Sequence, residues 1–157
     1  MEVWKYVGVN VTSTRTHVHT YIRPYVHTLR RRLLLLFRVD GNLGVGHGFE
    51  ALGEVVGVEF SVYTSGGVKI PDVIWMSEER RAQIPEGAEA SPVVPELCVE
   101  VMSDSNTEAE MAEKRDRYFD GGAKEVWVVG RDDAVRFFDA DSEIEPSRLA
   151  PDFPSRI

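Results

Sequence analysis

Three ionisable side chains stand where the surrounding pattern is apolar. Asp72 lies within Val68–Trp75, where Val68, Ile70, Asp72 and Ile74 share one face of an expected strand. Glu100 lies within Glu96–Met102, on the face of Cys98 and Met102 and opposite that of Leu97, Val99 and Val101. Lys114 stands three residues after Met111 and four before Tyr118, on the inward stripe of an expected helix. A lysine alone can snorkel to water along its alkyl stem. Two carboxylates in apolar stripes need a compensating charge, which the lysine, a metal ion, or both would supply.

The elements that must position these groups are legible from residue 54 onward. Val56, Val58, Phe60 and Val62 alternate as in a half-buried strand. Ser65-Gly66-Gly67 supplies a turn, so Val68–Trp75 reads as the returning strand of a hairpin. Pro71 inside that strand marks it as an edge strand or a bulge. Ser77–Gln83 reads as a short helix, followed by a Pro-rich loop from Pro85 to Pro95. The strand Glu96–Met102 is followed by a turn at Ser103–Asn106. Thr107 and Glu110 then form a capping box that starts a helix running to about Asp120. Gly121-Gly122 suits the left-handed stop, and Glu125–Val129 and Ala134–Phe138 are further strands. Strand, helix and strand between 96 and 129 form a βαβ unit with parallel strands.

Residues 1–53 read differently. Thr20–Phe37 carries Tyr21, Tyr25, Leu29, Leu33 and Leu36 at helical steps, and five glycines between 40 and 53 mark an irregular connection. The first 40 residues hold a net charge of +5 and the remaining 117 a net of −13. A basic arm on an acidic body can meet nucleic acid. The acidic body repels phosphate, so a nucleic-acid site on it must be local or neutralised by metal.

Composition narrows the classes. The 157 residues, 43% hydrophobic and 28% charged, fit one globular domain: a 1–53 segment, a 54–140 core and a 141–157 tail. One cysteine excludes an internal disulfide and a Cys-rich zinc site. The longest apolar run, Leu33–Phe37, is too short for a membrane span or a signal segment. A soluble, cytoplasmic protein is expected. All histidines precede residue 48, which leaves Ser103 and Ser105 without a triad partner in the legible core. His17 and His19 lack further zinc partners, and Gly44–Gly48 lacks the Lys-Ser/Thr of a phosphate loop.

Gly67-Val68-Lys69-Ile70-Pro71-Asp72-Val73, Pro95–Ser103, Glu113-Lys114 with Tyr118 and Gly121-Gly122, and Val126–Val129 together resemble the Uma-two family of putative restriction endonucleases, within the PD-(D/E)xK nuclease superfamily. The resemblance covers roughly residues 56 to 139. It implies an α/β fold with a restriction-endonuclease-like mixed central sheet and flanking helices. It further implies that Asp72 and Glu100 hold Mg²⁺ (or Mn²⁺), with Lys114 as the catalytic cation; Glu59, the nearest carboxylate on the preceding strand although on the face opposite Val58 and Phe60, is a weaker candidate for a third ligand. Such a metal takes hard oxygen donors and keeps waters, so two carboxylates leave room for phosphate and nucleophile. At the superfamily lysine position, two after Glu100, this sequence has Met102, and the resemblance implies that Lys114 on the following helix takes over that role. The implied activity is metal-dependent hydrolysis of DNA; nucleases that cut both strands commonly pair up, so a homodimer is an option, with the oligomeric state left open by the sequence. The alternative is a catalytically weak or inactive nuclease-fold module for binding or dimerisation.

Overall fold

The computed structural model describes the backbone of residues 54–57 and, in full, residues 60–157. The expected helix at 20–37, the glycine-rich connection, the basic arm, the histidines and Glu59 all lie outside the described residues.

Among the described residues, eight strands and two helices follow in order. They are β1 (Glu54–Gly57), β2 (Val62–Thr64), β3 (Gly67–Lys69), β4 (Val73–Ser77), α1 (Glu78–Arg81), β5 (Leu97–Val101), α2 (Glu108–Asp120), β6 (Glu125–Val129), β7 (Val135–Phe138) and β8 (Glu143–Ile144). The main sheet has the order β1-β4-β5-β6-β7-β8, while β2 and β3 form a separate two-stranded ribbon. Among the described strands β5 and β6 run parallel, joined through α2, and the other strand pairs are antiparallel. The sheet is therefore mixed, and the βαβ unit is its centre.

The expected hairpin of two long strands is broken. Each half splits, so that β2 and β3 pair with each other while β1 and β4 pair in the main sheet. The break in the returning strand falls at Ile70–Asp72, around Pro71, whose ring nitrogen has no hydrogen to give a ladder. Asp72 resumes the pairing by donating its N–H to the Val99 carbonyl at 2.9 Å. The four-residue stripe is consequently not one surface: Val68 and Ile70 are half exposed, Asp72 and Ile74 buried. Nor is β4 an edge strand, since β1 and β5 flank it.

Helix α2 forms as its residues dictate. Thr107 accepts from the Glu110 amide and Glu110 accepts from the Thr107 amide at 2.7 Å, completing the capping box. At the other end Gly122 takes the left-handed conformation (φ +94°), and Gly121 serves a separate need. A Cβ on Gly121 would stand 2.3 Å from a Val94 methyl. Gly121→Ala is thus expected to lower stability by about 1–3 kcal/mol through overpacking. Urea unfolding checks it; an unchanged midpoint would show that Val94 moves aside at no cost.

The sheet packs on both faces. One face buries Val73, Trp75, Leu97, Val99, Trp127 and Phe137 under the C-terminal segment, which supplies Ala150 and Phe153. Trp127 lies 4.5 Å from Phe153 between ring centroids. Residues 141–157 therefore carry β8 and cover the core. The opposite face buries Cys98 and Val126 with Tyr118, and Met102 and Val128 with Met111, so α2 seals it. Asp72, Glu100 and Lys114 belong to this second face.

Candidate active site

Register sets the first relation. β4 and β5 pair Val73 with Val99 and Ile74 with Cys98, and just before the first of these pairs Asp72 sets its carboxylate against β5 beside Glu100, on which its charge acts. Asp72 is tied to β5 twice, through its N–H to the Val99 carbonyl and through Oδ2, which accepts the Val101 N–H at 2.7 Å. The two bonds bracket Glu100. Both carboxylates are buried, Asp72 at 7% exposure and Glu100 at 2%.

Helix α2 supplies the second relation. Lys114 Nζ donates to Glu100 Oε2 at 2.6 Å, and the Tyr118 hydroxyl donates to Oε1 at 2.6 Å. Lys114 and Tyr118 are one turn apart, so they meet the carboxylate from a single helix face. The Lys114 side chain keeps 30% of its surface exposed, so its ammonium sits at the boundary between core and water. Snorkelling and pairing therefore coexist. The position two after Glu100 is filled by Met102, buried with Met111, Val128 and Phe138. A lysine arriving from α2 meets the carboxylate without passing through that apolar cluster.

Burial pushes the Glu100 carboxyl above its ordinary value; Lys114 draws it down, and the Asp72 charge pushes it up again. Burial and the Glu100 charge also hold the Cys98 thiol well above its usual range, which fits a small apolar core residue and not a nucleophile. Tyr118 is raised for the same two reasons and stays a hydrogen-bond donor. A sign follows for stability. The folded state holds the Glu100 proton more tightly than the unfolded chain does, so stability from this group falls as pH climbs above 4.5. Relative to the wild type, Glu100→Gln should therefore gain stability across that interval. Denaturant unfolding at a series of pH values measures it; a gap that closes with rising pH would show the carboxyl is not raised.

Among the described residues no group of three or more His, Cys, Asp and Glu side chains is disposed to hold a metal ion. The structure brings together Asp72, Glu100 and Lys114; Glu59 is outside its description. Sequence reading placed Tyr118 on the inward stripe but missed its donor role, though a buried tyrosine hydroxyl generally finds a partner. It also missed two buried carboxylates. Glu96 accepts from Ser77 Oγ at 2.6 Å and pairs with Arg80 Nε at 3.3 Å, fastening α1 to β5. Glu125 fastens the C-terminal segment. Ser103 bonds Asn106 Oδ1 at 2.7 Å and orders the turn.

The profile of the Uma2 family, described as a putative restriction endonuclease, matches residues 28–148. The chain belongs to the Uma2 family. The match reaches upstream of the resemblance read from residue 56 and so takes in part of the 1–53 segment. No curated protein is significantly similar to the chain. Among solved structures, the chain is similar to a putative nuclease belonging to DUF820 from Anabaena variabilis ATCC 29413. The TM-score is 0.65 at 10% identity, over 83% of this chain and 76% of that one. That likeness shows that this Uma2 protein shares the mixed α/β fold of that protein. No helix among the described residues is long and apolar enough to cross a membrane.

Proposed function

We propose that this Uma2 protein is a metal-dependent endonuclease that hydrolyses DNA phosphodiester bonds, of the PD-(D/E)xK type. The supporting observation is the convergence on one sheet face of Asp72, Glu100 and Lys114, with Lys114 Nζ 2.6 Å from Glu100. The donor set fits a hard divalent ion such as Mg²⁺ or Mn²⁺: two neighbouring buried carboxylates, which offer hard oxygen donors. Asp72 and Glu100 would hold that ion, and Glu59 is a further candidate ligand. When bound, the ion supplies Lewis-acid polarisation of the phosphodiester and acidifies a coordinated water.

The chain's own groups do the rest. Asp72 and Glu100 concentrate negative charge at one point, which makes a cation the condition for a phosphate to approach. Lys114, whose side chain is 30% exposed, can turn its ammonium from Glu100 toward charge developing on the phosphate oxygens. Tyr118 stays with Glu100, because its ring is buried. The experiment is calorimetric titration with Mn²⁺ together with incubation of supercoiled plasmid in Mg²⁺ or Mn²⁺. Binding at one site, with nicking that EDTA abolishes, supports the reading. Absence of both leaves a nuclease-fold module that does not cleave.

A further inference from the structure

Resting on the reading just proposed, we infer that Tyr118 is a positioning residue: its hydroxyl fixes the Glu100 carboxylate for cation binding while Lys114 is engaged elsewhere. Glu100 is held at both oxygens by α2, Oε2 by Lys114 and Oε1 by Tyr118, each at 2.6 Å. The two donors differ in what they can do. Lys114 is 30% exposed and carries a mobile ammonium on a flexible stem, so it can leave Glu100 for an incoming anion. Tyr118 is wholly buried, packed with Val62, Val94, Cys98, Ala123 and Val126, and its ring has no second direction in which to aim the hydroxyl.

A carboxylate with one fixed donor keeps its rotamer when the other departs; a carboxylate with none is free to rotate. Hydrogen-bonded partners of ligating carboxylates commonly contribute 10- to 100-fold to metal affinity by this means. The geometry also explains why the residue is a tyrosine. A phenylalanine would fill the same volume among these core neighbours but leave Oε1 without its donor.

Tyr118→Phe tests the inference, since it removes one oxygen and keeps the packing. Thermal unfolding monitored by circular dichroism verifies that the variant is folded, and titration calorimetry with Mn²⁺ gives the affinity. The inference expects a Mn²⁺ affinity about 10- to 100-fold weaker than wild type. It also expects plasmid cleavage that falls at limiting Mn²⁺ and returns toward the wild-type rate at saturating Mn²⁺. Equal Mn²⁺ affinity in the two proteins overturns it while leaving the endonuclease reading intact, and so does a cleavage defect that saturating Mn²⁺ does not repair. A wild-type protein that binds no Mn²⁺ overturns both.

Discussion

Lys114→Met is expected to lower plasmid cleavage by about 10²- to 10³-fold without weakening Mn²⁺ binding. Methionine is close in length to the lysine stem and suits the stripe formed by Met111 and Tyr118, so the helix keeps its inward face. What disappears is the ammonium 2.6 Å from Glu100 Oε2. That oxygen then lacks a competitor for a divalent ion, and affinity should stay equal or rise. The charge that develops on the phosphate, however, loses the ammonium that Lys114 brings to this site. Stability falls by about 1–3 kcal/mol, because one charge-assisted bond is lost at a site that water partly reaches. Lys114→Arg should recover only part of the rate, since a planar guanidinium and a point-like ammonium present charge differently. Rates measured on supercoiled plasmid at saturating Mg²⁺ decide the matter. Wild-type rates in Lys114→Met would remove the lysine from the chemistry.

The largest effect on folding should come from a different carboxylate. Glu125 begins β6 on the face opposite Glu100 and is 2% exposed. Its Oε2 accepts from Trp127 Nε1 at 2.8 Å and Ser147 Oγ at 2.6 Å, and its Oε1 accepts from the amides of Arg148 and Leu149 at 2.7 and 2.8 Å. Four donors thus share one side chain, and three belong to the segment that lays Ala150 and Phe153 over the core. Glu125→Ala leaves all four without this acceptor and opens a void beside Trp127. A loss of about 3–5 kcal/mol is expected, comparable to breaking a buried charged network. Glu125→Gln should not rescue it fully, because its amide nitrogen would face donors. Urea unfolding measures both variants; a shift within 1 kcal/mol, the size of a single exposed bond, would contradict the account.

These two residues also mark where sequence reasoning reaches and where it stops. Lys114 was legible because a helix has a fixed period: three after Met111 and four before Tyr118 puts it inside whatever the partner is. The capping box and the parallel βαβ unit were legible for the same reason, each being a rule about near neighbours. Asp72 and Glu100 were each assigned a face of their own strand by alternation, but that the two faces coincide depends on the β4–β5 pairing and on the bond from the Val101 N–H to Asp72 Oδ2. Glu125 was not legible, since three of its four donors lie 22 to 24 residues away in a segment with no periodic pattern. The hairpin failed at Pro71 because alternation records which way side chains point and says nothing of which sheet receives them. The chain leaves the β2–β3 ribbon there and enters the main sheet, a choice made by tertiary pairing. Tyr118 sits between these cases. Its burial followed from spacing, but its bond to Glu100 depends on how deeply α2 seats against the sheet.

The central claim is that Asp72 contributes charge, and not merely shape, to a site that cleaves DNA. Asp72→Asn keeps an oxygen to accept the Val101 N–H and should leave the fold in place. The direct measurement is nicking of supercoiled plasmid by wild type and Asp72→Asn, prepared identically, at saturating Mg²⁺. The account predicts efficient, EDTA-sensitive nicking by the wild type and at least about a 10²-fold slower reaction in the variant. Equal nicking by the two proteins would contradict it.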